Sequence, residues 1–227
     1  MHPREHPALA VSIAALTGTY LLQAATPLRL DDDAVDYMSM AAALADGRPV
    51  PRLPMPVGLP VVLSILDRAG LGASAFFVLT NCLFLGLGLY AIWQLREYPI
   101  AVKAWTVVVS LLAIPVVKAV PIALPEAVFF GLSSLALWAM TTATRSGGGR
   151  RAALLLAAFA LSAAATFVRT IGLALLVPLA WSVIAGTAGG NDGSPNPVVL
   201  LLVVTHFTSI LAGTCAMRVG LYSPKFF

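Results

Sequence analysis

The chain has 227 residues, of which 59% are hydrophobic and only 11% charged, with a mean hydropathy of +0.90 and a formal net charge of +4. Soluble domains are usually about one-quarter charged, and no water-soluble fold buries so large an apolar share, so the composition excludes a soluble enzyme and requires a polytopic membrane protein. No basic stripe lies outside the short loops, which excludes a nucleic-acid binder. Cys82 and Cys215 sit in apolar runs with no His or Cys at ligand spacing, which argues against both a disulfide framework and a metal site at these thiols.

Taken in chain order, Met1–Pro7 is polar and Ala8–Thr26 is apolar. That run is longer than the usual apolar core of a signal peptide, about 7–15 residues, and no small-residue cleavage site follows, so it reads as a retained first helix. A membrane span needs about 20 apolar residues, with a range near 17–25. Candidate spans are Ala8–Thr26, Ala75–Trp93, Ala104–Val117, Ala127–Thr142, Ala152–Val168, Ile171–Ala185 and Val198–Met217. The shorter ones need ends packed in protein or a locally thinned bilayer. Val57–Leu66 is too short to cross and reads as an interfacial or re-entrant helix. The expectation is an all-α membrane helix bundle of about seven spans, forming a single transmembrane domain over residues 1–227. Residues 28–56 make its first extracytoplasmic loop.

The breaks QLREYP (Gln94–Pro99), TRSGGGRR (Thr144–Arg151) and GTAGGNDGSPNP (Gly186–Pro197) are polar and turn-rich. With a cytoplasmic N-terminus, all three fall in the cytoplasm. The aspartate-rich loop, KAVPIALPE (Lys118–Glu126), the turn at Arg169 and the C-terminal tail fall outside. Eight of the fourteen Lys and Arg then lie outside, against the positive-inside rule. Seven of the ten acids lie there too, so the outer face carries mixed charge, as a site would, whereas TRSGGGRR is purely basic. Charge gathered at one face, rather than at mid-membrane in paired half-sequences, disfavours a small transporter.

The outer loop RLDDDAVDYMSMAAALADGRP holds Asp31, Asp32, Asp33 and Asp36 within six residues. Carboxylates beside lipid are costly unless solvated, paired or put to use. Asp33 suits an N-cap, a helix is expected over Ala34–Ala45, and Gly47 is its stop. Val35, Met38, Ala42 and Ala45 share helical spacing and are expected to form one apolar face lying on the membrane surface, with Asp36 and Tyr37 elsewhere. Asp31 and Asp46 read as ordinary hydrated or capping acids. For the cluster two readings stand beside capping: a general base, or a pair holding a divalent cation.

Three more patterns follow: LPMPVGLPVVLSIL (Leu53–Leu66), LPEAVFFGLSSLALW (Leu124–Trp138) and AAATFVRTIGLALLVPLAW (Ala163–Trp181). In order and spacing, these and the acidic loop resemble the polyprenyl-phosphate-sugar-dependent glycosyltransferases of the C-type fold. The resemblance covers residues 8–190 or so. That family's acidic loop, followed by tyrosine, alanine, leucine and glycine, resembles Asp33, Tyr37, Ala41, Leu44 and Gly47. Its proline-glycine turn resembles Pro56, Gly58, Leu59 and Pro60, its glutamate span start Pro125–Glu126, and its arginine turn Thr166–Gly172 with Arg169. Ala34 stands where the family often has a second acid, leaving Asp32 or Asp36 as the substitute. Family members usually continue for hundreds of residues, so the resemblance implies the N-terminal part of such an enzyme, with a second membrane chain or further spans completing the fold.

The resemblance implies transfer of a sugar from a polyprenyl-phosphate donor to a lipid, glycan or protein acceptor. An acceptor hydroxyl needs a carboxylate base, here Asp33 or Asp32. A leaving phosphate needs cations, and Arg suits it through its planar fork. Substrate-binding candidates are Arg169, Lys118, Glu126, Asp36 and Tyr37. Each has a plainer reading: Arg169 snorkelling to headgroups, Lys118 an interfacial anchor, Glu126 a helix cap. His206 reads as a packed polar residue inside its span. Trp105, Trp138 and Trp181 read as interface anchors.

Overall fold

The computed structural model describes residues 18–22, 25, 32–50, 55–72, 74–95, 99–112, 120, 122 and 125–187. The chain divides into two units, Met1–Gly190 and Asn191–Phe227, and all described residues belong to the first. Its elements are α1 (Asp32–Ala45), α2 (Gly58–Arg68), α3 (Ser74–Trp93), α4 (Ile100–Leu112), α5 (Glu126–Thr144), α6 (Gly148–Val168), a 3-10 helix (Thr170–Leu175) and α7 (Leu176–Thr187). Every described element is helical. Among the described residues, three helices are long and apolar enough to cross a membrane: Ala75–Trp93, Glu126–Thr144 and Gly148–Val168. The expected spans Ala8–Thr26 and Val198–Met217, Cys215 and His206 lie wholly or largely outside the described residues.

The centre is α5, the most enclosed of the three long helices. It packs on α6 on one side and α3 on another. Glycines set the approach to α3: a Cβ on Gly131 would strike the Phe84 carbonyl, and one on Gly88 the Phe130 ring. Small residues at such contacts let helix backbones come close where no hydrophobic drive separates lipid from protein. Helices α5 and α6 form an antiparallel hairpin through 145–147, where Gly147 is extended and Gly148 takes a positive φ of 53°. At this end Arg151 Nη2 donates to Val183 O at 3.1 Å, tying the start of α6 to the returning α7.

The sequence places a break at Arg169, and the chain turns there. Arg169 is extended (φ −145°, ψ 130°) between α6 and the 3-10 helix. Gly172 N–H donates to Arg169 O at 2.8 Å, and a Cβ on Gly172 would meet the Thr166 and Ala165 backbone, so glycine permits the fold-back. Pro178 has no N–H to give the Ala174 carbonyl, which accounts for a tighter 3-10 segment before the α ladder begins at Leu176.

Helix α1 ends as expected at Gly47, with φ 67°. Arg48 N–H donates to Ala43 O at 2.8 Å and Gly47 N–H to Leu44 O at 3.3 Å, the paired bonds of a Schellman stop. One detail of α1 differs from expectation. The helix starts at Asp32, two residues before the expected Ala34, so Asp33 lies in the first turn, where a carboxylate meets the positive end of the helix dipole. The face expected to lie on the membrane, Val35, Met38, Ala42 and Ala45, is not the one that packs on protein. Val35 is 50% exposed and Ala42 is exposed, whereas Ala34, Tyr37, Met40 and Ala41 are buried. The helix packs on protein through Ala34, Tyr37, Met40 and Ala41 and leaves Val35 on the open side.

The short helix expected near Val57–Leu66 is α2, which pairs with α1. Arg68 seals the pair, donating from Nε to Ala45 O at 3.1 Å and from Nη2 to Leu44 O, which caps the carbonyl end of α1. At the other end of α2, Gly58 lies against the backbone of Phe167 and Val168, where a Cβ would sit 2.6 Å from the Phe167 carbonyl. The outer surfaces of the bundle are apolar, with Leu83, Tyr90, Trp105, Val109, Leu156, Phe159 and Phe167 all exposed. Such a surface suits lipid and is a liability in water.

Candidate functional site

Glu126 is the first residue of α5, and Arg169 follows the last residue of α6. Because the two helices form an antiparallel hairpin, both side chains fall at the end away from the 145–147 loop. There they meet: Arg169 Nη1 donates to Glu126 Oε1 at 2.9 Å. The glutamate side chain is 24% exposed and the arginine 41%. Glu126 also sits on the positive end of the α5 dipole, which favours its charge.

The α1–α2 pair reaches the same place. Gly58 presses on Phe167 and Val168, the two residues before Arg169. Tyr37 is 5% exposed, and its phenol is pushed up from 10.0 to about 12, first by burial, then by the Glu126 carboxylate, with Asp33 adding to the rise and Arg169 opposing it. Asp33 lies one helical turn before Tyr37 and is exposed. Asp33, Tyr37, Glu126 and Arg169 therefore share one end of the bundle, drawn from α1, α5 and the α6 break.

The remaining sequence candidates are distributed differently. Asp36 is half-buried and its backbone carbonyl accepts from Ser39 Oγ at 2.8 Å. Asp32 opens α1, and its side chain is outside the description. Asp31 and Lys118 lie outside the described residues. Asp46 pairs with its neighbour Arg48 at 2.7 Å on the surface, in keeping with an ordinary exposed acid. Trp105 is exposed in the middle of α4 and Trp138 half-buried in α5. Among the described residues no three His, Cys, Asp or Glu side chains come together as a metal-holding group. The Asp32–Asp33 pair expected as a cation site involves the Asp32 side chain, which lies outside the description.

The site has two chemical capacities. The exposed Asp33 carboxylate can accept a proton from a hydroxyl presented at the bundle surface. Arg169 spends one described hydrogen bond on Glu126 and stays two-fifths exposed, leaving the rest of its fork to bind an anion.

Two supporting residues are not evident from motif reading. Asn81 in α3 is buried and donates from Nδ2 to Val120 O at 2.9 Å and Ile122 O at 3.0 Å, just ahead of α5. Its signal is a lone amide in an apolar span, which requires a partner at bilayer depth. Lys103 Nζ donates to Trp93 O at 3.0 Å and so caps the end of α3. Comparison of the chain with protein-family models, with curated proteins and with solved structures finds no match.

Proposed function

We propose that the chain is an integral membrane glycosyltransferase, or the N-terminal catalytic half of one. It transfers a sugar from a polyprenyl-phosphate donor to an acceptor hydroxyl at the extracytoplasmic face of the inner (plasma) membrane. The observation that carries this reading is the meeting of Glu126 and Arg169 at 2.9 Å beside Tyr37 and Asp33. Here a carboxylate base and a partly exposed guanidinium stand at one end of an apolar bundle. The resemblance of the acidic loop, the Pro56–Pro60 turn, Pro125–Glu126 and the Arg169 turn to the C-type glycosyltransferases points the same way.

The full bundle has about seven spans. The three long helices are joined by α4 and by the continuous helical segment 170–187, whose 3-10 and α turns together rise about 30 Å, the depth of a bilayer core. The runs Ala8–Thr26 and Val198–Met217 supply the rest. The arginine-rich 145–151 end faces the cytoplasm and the Glu126–Arg169 end faces outward.

In the reaction, Asp33 or Asp32 takes the proton of the acceptor hydroxyl as its oxygen bonds the anomeric carbon from the face opposite the phosphate. The bond from that carbon to the phosphate oxygen breaks, its electron pair leaves with the polyprenyl phosphate, and the anomeric configuration inverts. Arg169 stabilises the charge gathered on the leaving phosphate. Glu126 holds Arg169 in place, and Tyr37, buried and protonated, keeps a neutral hydroxyl beside the pair.

A second reading is a non-catalytic membrane subunit or lipid-binding scaffold derived from such enzymes. It is favoured by the engagement of Arg169 Nη1 with an internal carboxylate, which already neutralises part of the cation. Purified chain in proteoliposomes, given a polyprenyl-phosphate-linked sugar and an acceptor, separates the two. Product formation supports the enzyme, donor binding without product supports the scaffold, and neither result would remove both.

A further inference from the structure

Within α3, between Phe77 and Leu85, every buried side chain is apolar except Asn81, which is 3% exposed. Its amide nitrogen makes two hydrogen bonds, to Val120 O at 2.9 Å and Ile122 O at 3.0 Å. Val120 and Ile122 both lie outside the helices, and Pro125 stands at the N-cap position of α5. A buried carbonyl outside a helix has no ladder donor and needs a partner from elsewhere, which the Asn81 amide supplies. One side chain on a long helix therefore holds both Val120 and Ile122. Four residues after Ile122 stands Glu126, whose carboxylate holds Arg169. Val120 is fully buried, so this anchor has little room to drift.

We infer that Asn81 is a positioning residue: through its clamp on Val120 and Ile122 it sets the start of α5 and so the placement of the Glu126–Arg169 pair. The same contact locks α3 to α5 at the outer end, where the glycine contacts of Gly131 and Gly88 lock it further along. The ligand consequence rests on the reading of that pair as the donor-phosphate site. The structural consequence does not.

The test uses Asn81→Leu, nearly isosteric and better suited to lipid, with Asn81→Ser as a second variant too short to hold both carbonyls. Hydrogen exchange in detergent or nanodiscs reads the first turns of α5. Binding of a polyprenyl phosphate reads the pair. The expected result is faster exchange at residues 126–130 in either variant, with the 148–168 helix unchanged, and about tenfold weaker binding, the loss of roughly one hydrogen bond. Combining Asn81→Leu with Glu126→Gln should add little to Glu126→Gln alone, because both act through one placement. A purely structural role would instead lower stability throughout the bundle and add fully to the Glu126 change. Unchanged exchange at 126–130 overturns the inference. Changed exchange with no lipid-phosphate binding by the parent chain leaves the clamp standing and removes the donor-site reading instead.

Discussion

Glu126 and Arg169, 43 residues apart in sequence, meet at 2.9 Å because one begins α5 and the other ends α6. The antiparallel hairpin brings these two helix ends together, and the fold-back at Gly172 keeps Arg169 at the surface of the bundle. Partial burial makes the pair more than a surface contact, while the exposure of Arg169 tempers its strength. A double-mutant cycle of Glu126→Ala and Arg169→Ala, followed by unfolding in mild detergent, should give a coupling of about 0.5–2 kcal/mol. Each single change should cost more than half of the double, since either leaves a half-buried charge behind. Simple additivity would mean the pair is incidental.

Close approach of α2 to the arginine turn depends on Gly58. Gly58→Ala puts a methyl group onto the Phe167 carbonyl and should destabilise the bundle by about 1–3 kcal/mol. Gly86→Ala is the control: it lies in the interior of α3 with nothing within 4 Å of the new methyl, so helix propensity should make it neutral or stabilising by up to about 1 kcal/mol. Thermal unfolding of the two variants side by side checks this, and equal effects would contradict the packing described.

Tyr37 links stability to alkaline pH. Its phenol titrates near 10 in the unfolded chain and about 12 in the folded one. A raised value means the folded state favours the neutral phenol, so this contribution is complete below pH 10 and is lost as pH climbs from about 10 to about 12. The difference in stability between the parent and Tyr37→Phe should be flat through neutrality and shrink across that window. A flat difference up to pH 12 would show that the phenol is not held neutral by its surroundings.

Asp33→Asn keeps the shape of the side chain but cannot accept a proton at its oxygen with comparable basicity. With Asp33 as the base, transfer should fall by about 10²–10⁴, with membrane insertion and donor binding retained. Product formation in proteoliposomes from Asp33→Asn, Asp32→Asn and the double variant checks the assignment. Full activity in all three would remove the carboxylate base.

The long helices were legible because unbroken apolar runs ending in QLREYP or TRSGGGRR leave few alternatives: Ala75–Trp93 falls where composition alone puts it. Gly47 and the break at Arg169 were legible from local chemistry. The inward face of α1 was not. In a membrane protein an apolar residue is at home against either lipid or protein, so Val35 and Met38 could not be told from Ala34, Tyr37 and Ala41 by helical spacing. The contact of Asn81 with Val120 and Ile122 is a tertiary fact, signalled only by the oddity of an amide among leucines and phenylalanines. Sequence order showed that Glu126 and Arg169 fall on one face of the bundle. Their direct pairing needed the hairpin geometry.

The central claim is that the free part of the Arg169 fork grips a lipid phosphate. Titration of a polyprenyl-phosphate donor analogue against the parent and Arg169→Lys, in matched detergent, tests it most directly. Lysine keeps the charge and a reach to Glu126 but loses the planar fork and one of two parallel bonds. A charge-assisted bond contributes about 1.5–3 kcal/mol, so affinity should drop by about ten- to a hundredfold. Equal affinities for the two forms, or no binding by the parent, would contradict the claim and leave Arg169 as an anchor for its turn.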